Sequence, residues 1–105
     1  MDWSLQTAPT DDSLRITATG ELDLVTAPLL ARALREAAVE ADRAILLDLT
    51  GVTFMDSSGL AAVLEAVQRS RESAGTLRIS PGNGAVVRVL ELAGLLDGLP
   101  LVERA

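Results

Sequence analysis

Ala44–Leu49, AILLDL, constrains this chain more than any other stretch. The run is short and nearly all apolar. Charge precedes it and Thr50-Gly51 follows it. Apolar character without alternation is the pattern of a central strand buried on both faces. Such a strand needs neighbouring strands and covering helices, and the rest of the chain must supply them.

Turn signals divide that remainder into short pieces. Thr10–Ser13, TDDS, is a polar turn. Ser13–Thr19 then alternates, with Leu14, Ile16 and Ala18 on one face, and reads as a half-buried strand ended by Gly20. An earlier strand around Trp3–Thr7 would pair with it as a hairpin, with Trp3 in the core or covering an edge. Thr26 is a good N-cap, and Pro28 sits in the first turn, where its missing N–H costs nothing. Leu30, Leu34, Ala37 and Ala41 share one helical face, which predicts a helix over about residues 27–41, with Val25 stapled back onto Leu30. Val52–Met55 reads as a short extension after a turn at Gly51. The next helix is predicted to start near Ser58, with Leu60, Val63, Leu64, Val67 and Arg71 at helical spacing and Gly75 as its C′ residue. Thr76–Ser80 is a strand. SPGNG is a loop offering Ser80 or Asn83 as a cap; its two glycines are only a weak phosphate-cradle signal. Ala85–Ala93 is a third helix closed by Gly94, and Leu101–Arg104 a last short strand. Strands that alternate with helices mean an α/β fold with a mixed sheet and crossover connections.

A chain of 105 residues makes one domain, spanning 1–105, and its 49% hydrophobic content supports a core without staples. Aromatics are 2%, so that core is aliphatic. The net charge of −6 argues against nucleic acid and anionic membrane as partners. No apolar segment is long enough to span a bilayer, and the N-terminus lacks the pattern of a signal peptide, so a cytoplasmic location is expected. No seam for an oligomer is visible, and a monomer is expected. The chain has no cysteine, no histidine and no lysine. That removes thiolate chemistry, the usual general base, the commonest metal ligand and Schiff-base or P-loop lysines. No metal or other cofactor is expected.

Phe54–Leu60, FMDSSGL, carries the functional question. Asp56, Ser57 and Ser58 stand where a strand ends and a helix begins. The first N–H groups of a helix lack internal partners, and the macrodipole is positive there. A phosphate would find donors at such a place. Phosphorylation adds a charge of about −1.5 to −2, which a docked partner would feel. The plainer reading is N-capping, which is far more common than a switch. One cap uses one side chain, however, and three candidates stand in a row before Gly59. A nucleophilic serine would need a base. Asp56 beside Ser57 is a poor one for a hydroxyl, and GxSxG is absent, so no hydrolase is expected. Asp23, in Gly20–Asp23 (GELD), reads either as an acid favoured at a helix start or as a surface acid beside the switch. Leu24 and Val25 read as local packing or as part of an interface.

GELD followed by TA, a central apolar strand, FMDSSGL and a final helix ending near LAGL resemble the STAS family, and more narrowly bacterial anti-sigma factor antagonists. The likeness runs from about Leu14 to Val102, and DSSGL is its most specific part. It implies a four- or five-element sheet with helices packed mainly on one face. It implies a binding module rather than an enzyme. Such a module binds an anti-sigma factor that is also a serine protein kinase, frees the sigma factor, is released by phosphorylation, and is restored by a serine phosphatase. On that resemblance Ser57 is the acceptor and Ser58, the second candidate, serves the helix start. Asp23, Asp56, Ser57, Ser58 and Gly59 form the partner-binding site. The alternative is a STAS subunit of a transporter or lipid-transport complex that is never phosphorylated. Two departures stand out. Ala61 replaces a second glycine, and LVTAP after GELD is more apolar than in many relatives.

Overall fold

The run at Ala44–Leu49 opens a strand of 12 residues, Ala44–Met55, at the centre of the sheet. The computed structural model describes residues 3–40, 44–73, 75–82 and 84–102. In chain order these form β1 (Trp3–Pro9), β2 (Ser13–Leu22), α1 (Ala27–Glu40), β3 (Ala44–Met55), α2 (Ser57–Glu72), β4 (Leu77–Ser80) and α3 (Ala85–Leu92). The sheet runs β1-β2-β3-β4; β1 is antiparallel to β2, and the other two pairings are parallel. Two successive crossovers step the same way across the sheet, from β2 to β3 and from β3 to β4, which puts α1 and α2 on the same face, where they pack on each other.

The register explains why the faces differ. Ile16, Leu47 and Ile79 stand side by side across three strands, and all three are fully buried. They form the floor of an aliphatic core that also takes Leu30 from α1, Val63 from α2, and Val86 and Leu90 from α3. Each such side chain contributes about 1.5–3 kcal/mol by leaving water. The neighbouring row, Gln6, Thr17, Asp48 and Ser80, points the other way and is polar. The predicted burial of Ala44–Leu49 on both faces is therefore corrected: helices cover one face only.

Asp48 lies on that polar face yet is only 5% exposed. Arg15 donates to its Oδ2 at 2.6 Å, and the Thr50 N–H and hydroxyl donate to Oδ1 at 2.9 and 2.7 Å. Burial pushes its pKa up, but the hydrogen bonds from Arg15 and Thr50 outweigh it and hold the carboxyl below the usual value. The unfolded chain therefore takes up this proton first. The stabilisation is complete above about pH 4 and is lost as pH falls through the lowered value. Asp48→Asn is expected to cost about 1–3 kcal/mol at pH 7. Urea melts at pH 7 and pH 3 test this. The gap between the native protein and the variant must shrink at pH 3, and an equal gap at both would refute it.

Local departures from the sequence reading follow from packing. β2 does not end at Gly20 but continues to Leu22, with Gly20 (φ 109°) at a register shift against β3. Gly51 is no turn. It lies inside β3, and a Cβ there would sit 3.2 Å from Thr19 Oγ1, so glycine serves a bulge between close strands. Val25 is 74% exposed and staples nothing. The buried stripe of α2 is Gly59, Ala62, Val63 and Val67, while Arg71 faces solvent. Ser73 is the C-cap of α2, so Gly75 falls one residue past C′ and lacks the positive φ of a C′ glycine. Gly84, not Ser80, precedes α3, with no side-chain cap. Gly94 (φ 72°) closes α3 as expected, with Leu95 N–H on Leu90 O at 2.8 Å. Leu101 makes an isolated parallel bridge to Ile79, and Glu103 and Arg104 of the strand predicted there lie outside the described residues. Ala41 and Asn83 also lie outside them.

Candidate functional site

The carboxyl ends of β2 and β3 meet at Leu22 and Met55, which are register partners. The two following segments therefore emerge side by side. Asp56 N–H donates back to Leu22 O at 3.2 Å and ties the second segment to the first. Parallel strands end at the same edge of a sheet, which is where α/β folds commonly place their sites.

Asp56 is the N-cap of α2. Its Oδ1 accepts the Ser58 N–H at 2.8 Å and the Gly59 N–H at 3.2 Å. A cap of this kind contributes about 1 kcal/mol. Asp56 does this alone, so Ser58 contributes its backbone N–H and not a capping hydroxyl, contrary to its expected role. Two of the amide donors that a phosphate was expected to find, those of Ser58 and Gly59, are therefore already engaged. Ser57 is the first residue of α2 and is exposed; among the described residues its hydroxyl makes no hydrogen bond. Gly59 is buried under the junction. A Cβ on it would lie 2.6 Å from Leu22 Cγ, 2.8 Å from Met55 Cγ and 2.9 Å from Leu22 O.

The segment after β2 is held just as closely. Asp23 Oδ1 accepts the Val25 and Thr26 N–H groups at 3.0 and 3.1 Å. Hydrogen bonds from the Thr26 and Val25 amides hold its carboxyl below the usual range, against a weaker opposing effect of burial. Thr26 Oγ1 donates to Glu21 O at 2.7 Å and accepts the Asp23 N–H at 2.9 Å. The Thr26 hydroxyl thus closes the loop instead of capping α1, whose first turn uses the Thr26 carbonyl. Between these anchors Leu24 and Val25 are pushed into solvent, each 74% exposed. Phe54, paired with Glu21 at the end of the sheet, and Leu29 in the first turn of α1 are also exposed. Ser57 therefore stands at an edge of the molecule that carries four exposed apolar side chains and the acids Asp23 and Asp56. Exposed apolar residues grouped in this way mark interaction surfaces.

The STAS domain family model matches residues 4–104. The chain belongs to the STAS domain family. This STAS domain is 33% identical over 86 residues to the anti-sigma-B factor antagonist of Listeria monocytogenes, covering 82% of this chain and 75% of that protein. Its fold matches a crystal structure of an anti-sigma factor antagonist from Mycobacterium paratuberculosis with a TM-score of 0.79 at 26% identity, over 95% of this chain and 85% of that one. It also matches the Bacillus cell fate determinant SpoIIAA in its phosphorylated form, with a TM-score of 0.69 at 22% identity over 97% and 92% of the two chains, a likeness of fold. Relatives named in this way are regulatory binding proteins.

Of the residues singled out from the sequence of this STAS domain, Asp56, Ser57, Ser58 and Gly59 form one turn, and Asp23 lies across the Leu22–Met55 pair from them. The sequence reading missed two participants. Phe54 is read from the sequence only as part of the Val52–Met55 extension. Thr26 was assigned a capping bond, when its hydroxyl shapes the loop that presents Leu24 and Val25. The spacing of Asp23 and Thr26, three apart before a helix, was the available signal for that loop.

Proposed function

We propose that this chain, taken as one STAS unit over residues 1–105, is an anti-sigma factor antagonist whose binding is switched off by phosphorylation at Ser57. The observation that carries this is the exposed Ser57 hydroxyl at the start of α2, free of capping duty, on an edge with exposed Leu24, Val25, Leu29 and Phe54. The names of the Listeria and mycobacterial relatives support the partner class. The partner is an anti-sigma factor that is also a serine protein kinase, and a serine phosphatase reverses the modification. Asp56 already occupies the Ser58 and Gly59 amides, so a phosphate on exposed Ser57 finds those two donors taken and stands next to the Asp56 carboxylate. Its charge acts on the docked partner more than on the fold. The antagonist itself catalyses nothing. No histidine is present, and Asp56 Oδ1 is committed to two N–H groups, so Ser57 has no base. No helix among the described residues is long and apolar enough to cross a membrane, and the proposed setting is the cytoplasm.

Mass spectrometry of the protein recovered with its partners from its native cell tests this reading. The expected result is a phosphorylated fraction at Ser57 in the free pool and a kinase-fold partner on the unmodified form. An unmodified serine in every condition, with a transporter ATPase as partner, would make the turn a helix cap on a structural subunit.

A further inference from the structure

At the opposite end of the molecule from Ser57, the amino ends of β3 and β4 leave a cavity of about 460 Å³ between α1 and α2. It opens to solvent at one side, and small-molecule pockets fall in the range of about 300–1,000 Å³. The space exists because the facing helix positions are alanines: Ala31 and Ala38 on α1, Ala62 and Ala66 on α2. Ile45 and Leu77 at the strand starts complete an apolar floor. Among the described residues the lining carries one charged cluster. Arg35 Nη1 and Arg69 Nη2 both donate to Glu65 Oε1, each at 2.9 Å. Two cations share one carboxylate oxygen, so the cluster carries a net charge of about +1, and each guanidinium keeps donors unused by that bond. This positive group stands over an apolar slot on a chain whose net charge is −6.

We propose that this cavity binds an aliphatic monocarboxylate, with its chain between the alanine faces and its carboxylate on Arg35 and Arg69. A slot with an apolar floor, hydroxyls of Ser70, Ser73 and Thr76 along its rim and, among the described residues, one cationic cluster suits an amphiphile of one negative charge. A polyanion would meet Glu65 and too few donors. A cationic amphiphile would meet two guanidiniums. The Arg35–Glu65–Arg69 cluster bridges α1 and α2, so the ligand's carboxylate joins a link already present between the helices. The site is independent of Ser57 and of the function proposed for it.

The test uses the full chain, labelled for ¹H–¹⁵N spectra and titrated with octanoate, decanoate, decanol and decyltrimethylammonium. Decanoate is expected to give saturable shifts at Ala31, Ala62 and Leu77. Octanoate is expected to bind about tenfold more weakly, because it buries two fewer methylenes. Decanol is expected to bind at least about tenfold more weakly than decanoate, since it lacks the charge that two guanidiniums recognise. The ammonium is expected not to bind there. Combined Arg35→Gln and Arg69→Gln should bring decanoate down to the level of decanol. Ala38→Leu with Ala66→Leu, at positions that are not fully buried, should fill the slot and abolish binding while the melting transition is kept. The proposal is overturned if decanoate gives no saturable shift, if the shifts map instead to Leu24 and Phe54, or if decanol binds as tightly as decanoate.

Discussion

Replacing Gly59 with alanine is expected to destabilise the fold by about 2–3 kcal/mol and to lower the melting temperature by about 10–20 °C. Two effects oppose each other. Alanine is the better helix former by about 1 kcal/mol, which alone would stabilise α2. Its Cβ, however, would lie 2.6 Å from Leu22 Cγ, 2.8 Å from Met55 Cγ and 2.9 Å from the Leu22 carbonyl oxygen. The side-chain contacts are relieved only by moving two buried residues, and the carbonyl is backbone. That same carbonyl accepts the Asp56 N–H, so moving it loosens the tie between the two segments of the site. Overpacking therefore outweighs propensity. Gly98→Ala is the control, since nothing lies within 4 Å of a Cβ there, and its effect should stay within about 0.5 kcal/mol. Thermal melts of both variants decide the matter. An unchanged transition for Gly59→Ala would mean that α2 can lift from the strand ends at little cost, and that the site is less tightly built than its distances imply.

Ser57→Asp should weaken binding of the anti-sigma factor by about 100-fold, and Ser57→Ala should leave it within about threefold of the native affinity. The charge would be placed among exposed Leu24, Val25 and Phe54, where a docked partner removes water and offers a carboxylate no compensation. The effect on stability has the opposite sign. Ser57 is exposed at the first position of α2, where a negative side chain gains about 0.3–1 kcal/mol from the helix dipole. The phosphomimic is therefore expected to melt no lower than the native protein while binding its partner poorly. Calorimetric titration and a melt on the same sample separate this from misfolding. Tight binding by Ser57→Asp would sink the switch, and a lowered melting temperature would turn lost binding into a folding defect.

Much of the fold is legible in the order of the residues. The alternation at Ser13–Thr19, the apolar run at Ala44–Leu49 and the 3–4 spacing after Thr26 and Ser57 each reflect one element meeting one core. Those patterns place β2, α1 and the starts of β3 and α2 to within a few residues, but β3 runs on through Gly51 to Met55 instead of ending at Leu49. The glycines were read less well. Gly20 and Gly51 look like turn signals in the chain, but each falls where β2 and β3 slip register against one another. A bulge and a turn both call for a residue without a Cβ, and only the neighbouring strand distinguishes them. Gly94 was read correctly because a helix C-terminus is decided within one turn of the chain itself.

The candidate site divides in the same way. That Asp56, Ser57, Ser58 and Gly59 sit together at a helix start follows from their adjacency, and the sequence by itself determined it. Which of three polar side chains takes the cap was a choice for the tertiary structure. The strand end holds Asp56 N–H on Leu22 O and aims its carboxylate at the Ser58 and Gly59 amides, leaving both hydroxyls out of the cap. That Asp23 shares this edge, and that Leu24, Val25 and Phe54 are exposed around Ser57, depends on the pairing of Leu22 with Met55, residues 33 positions apart. Periodicity records whether a residue faces a core. It carries no record of which distant strand end lies alongside, because that register is set by side chains packing across the sheet.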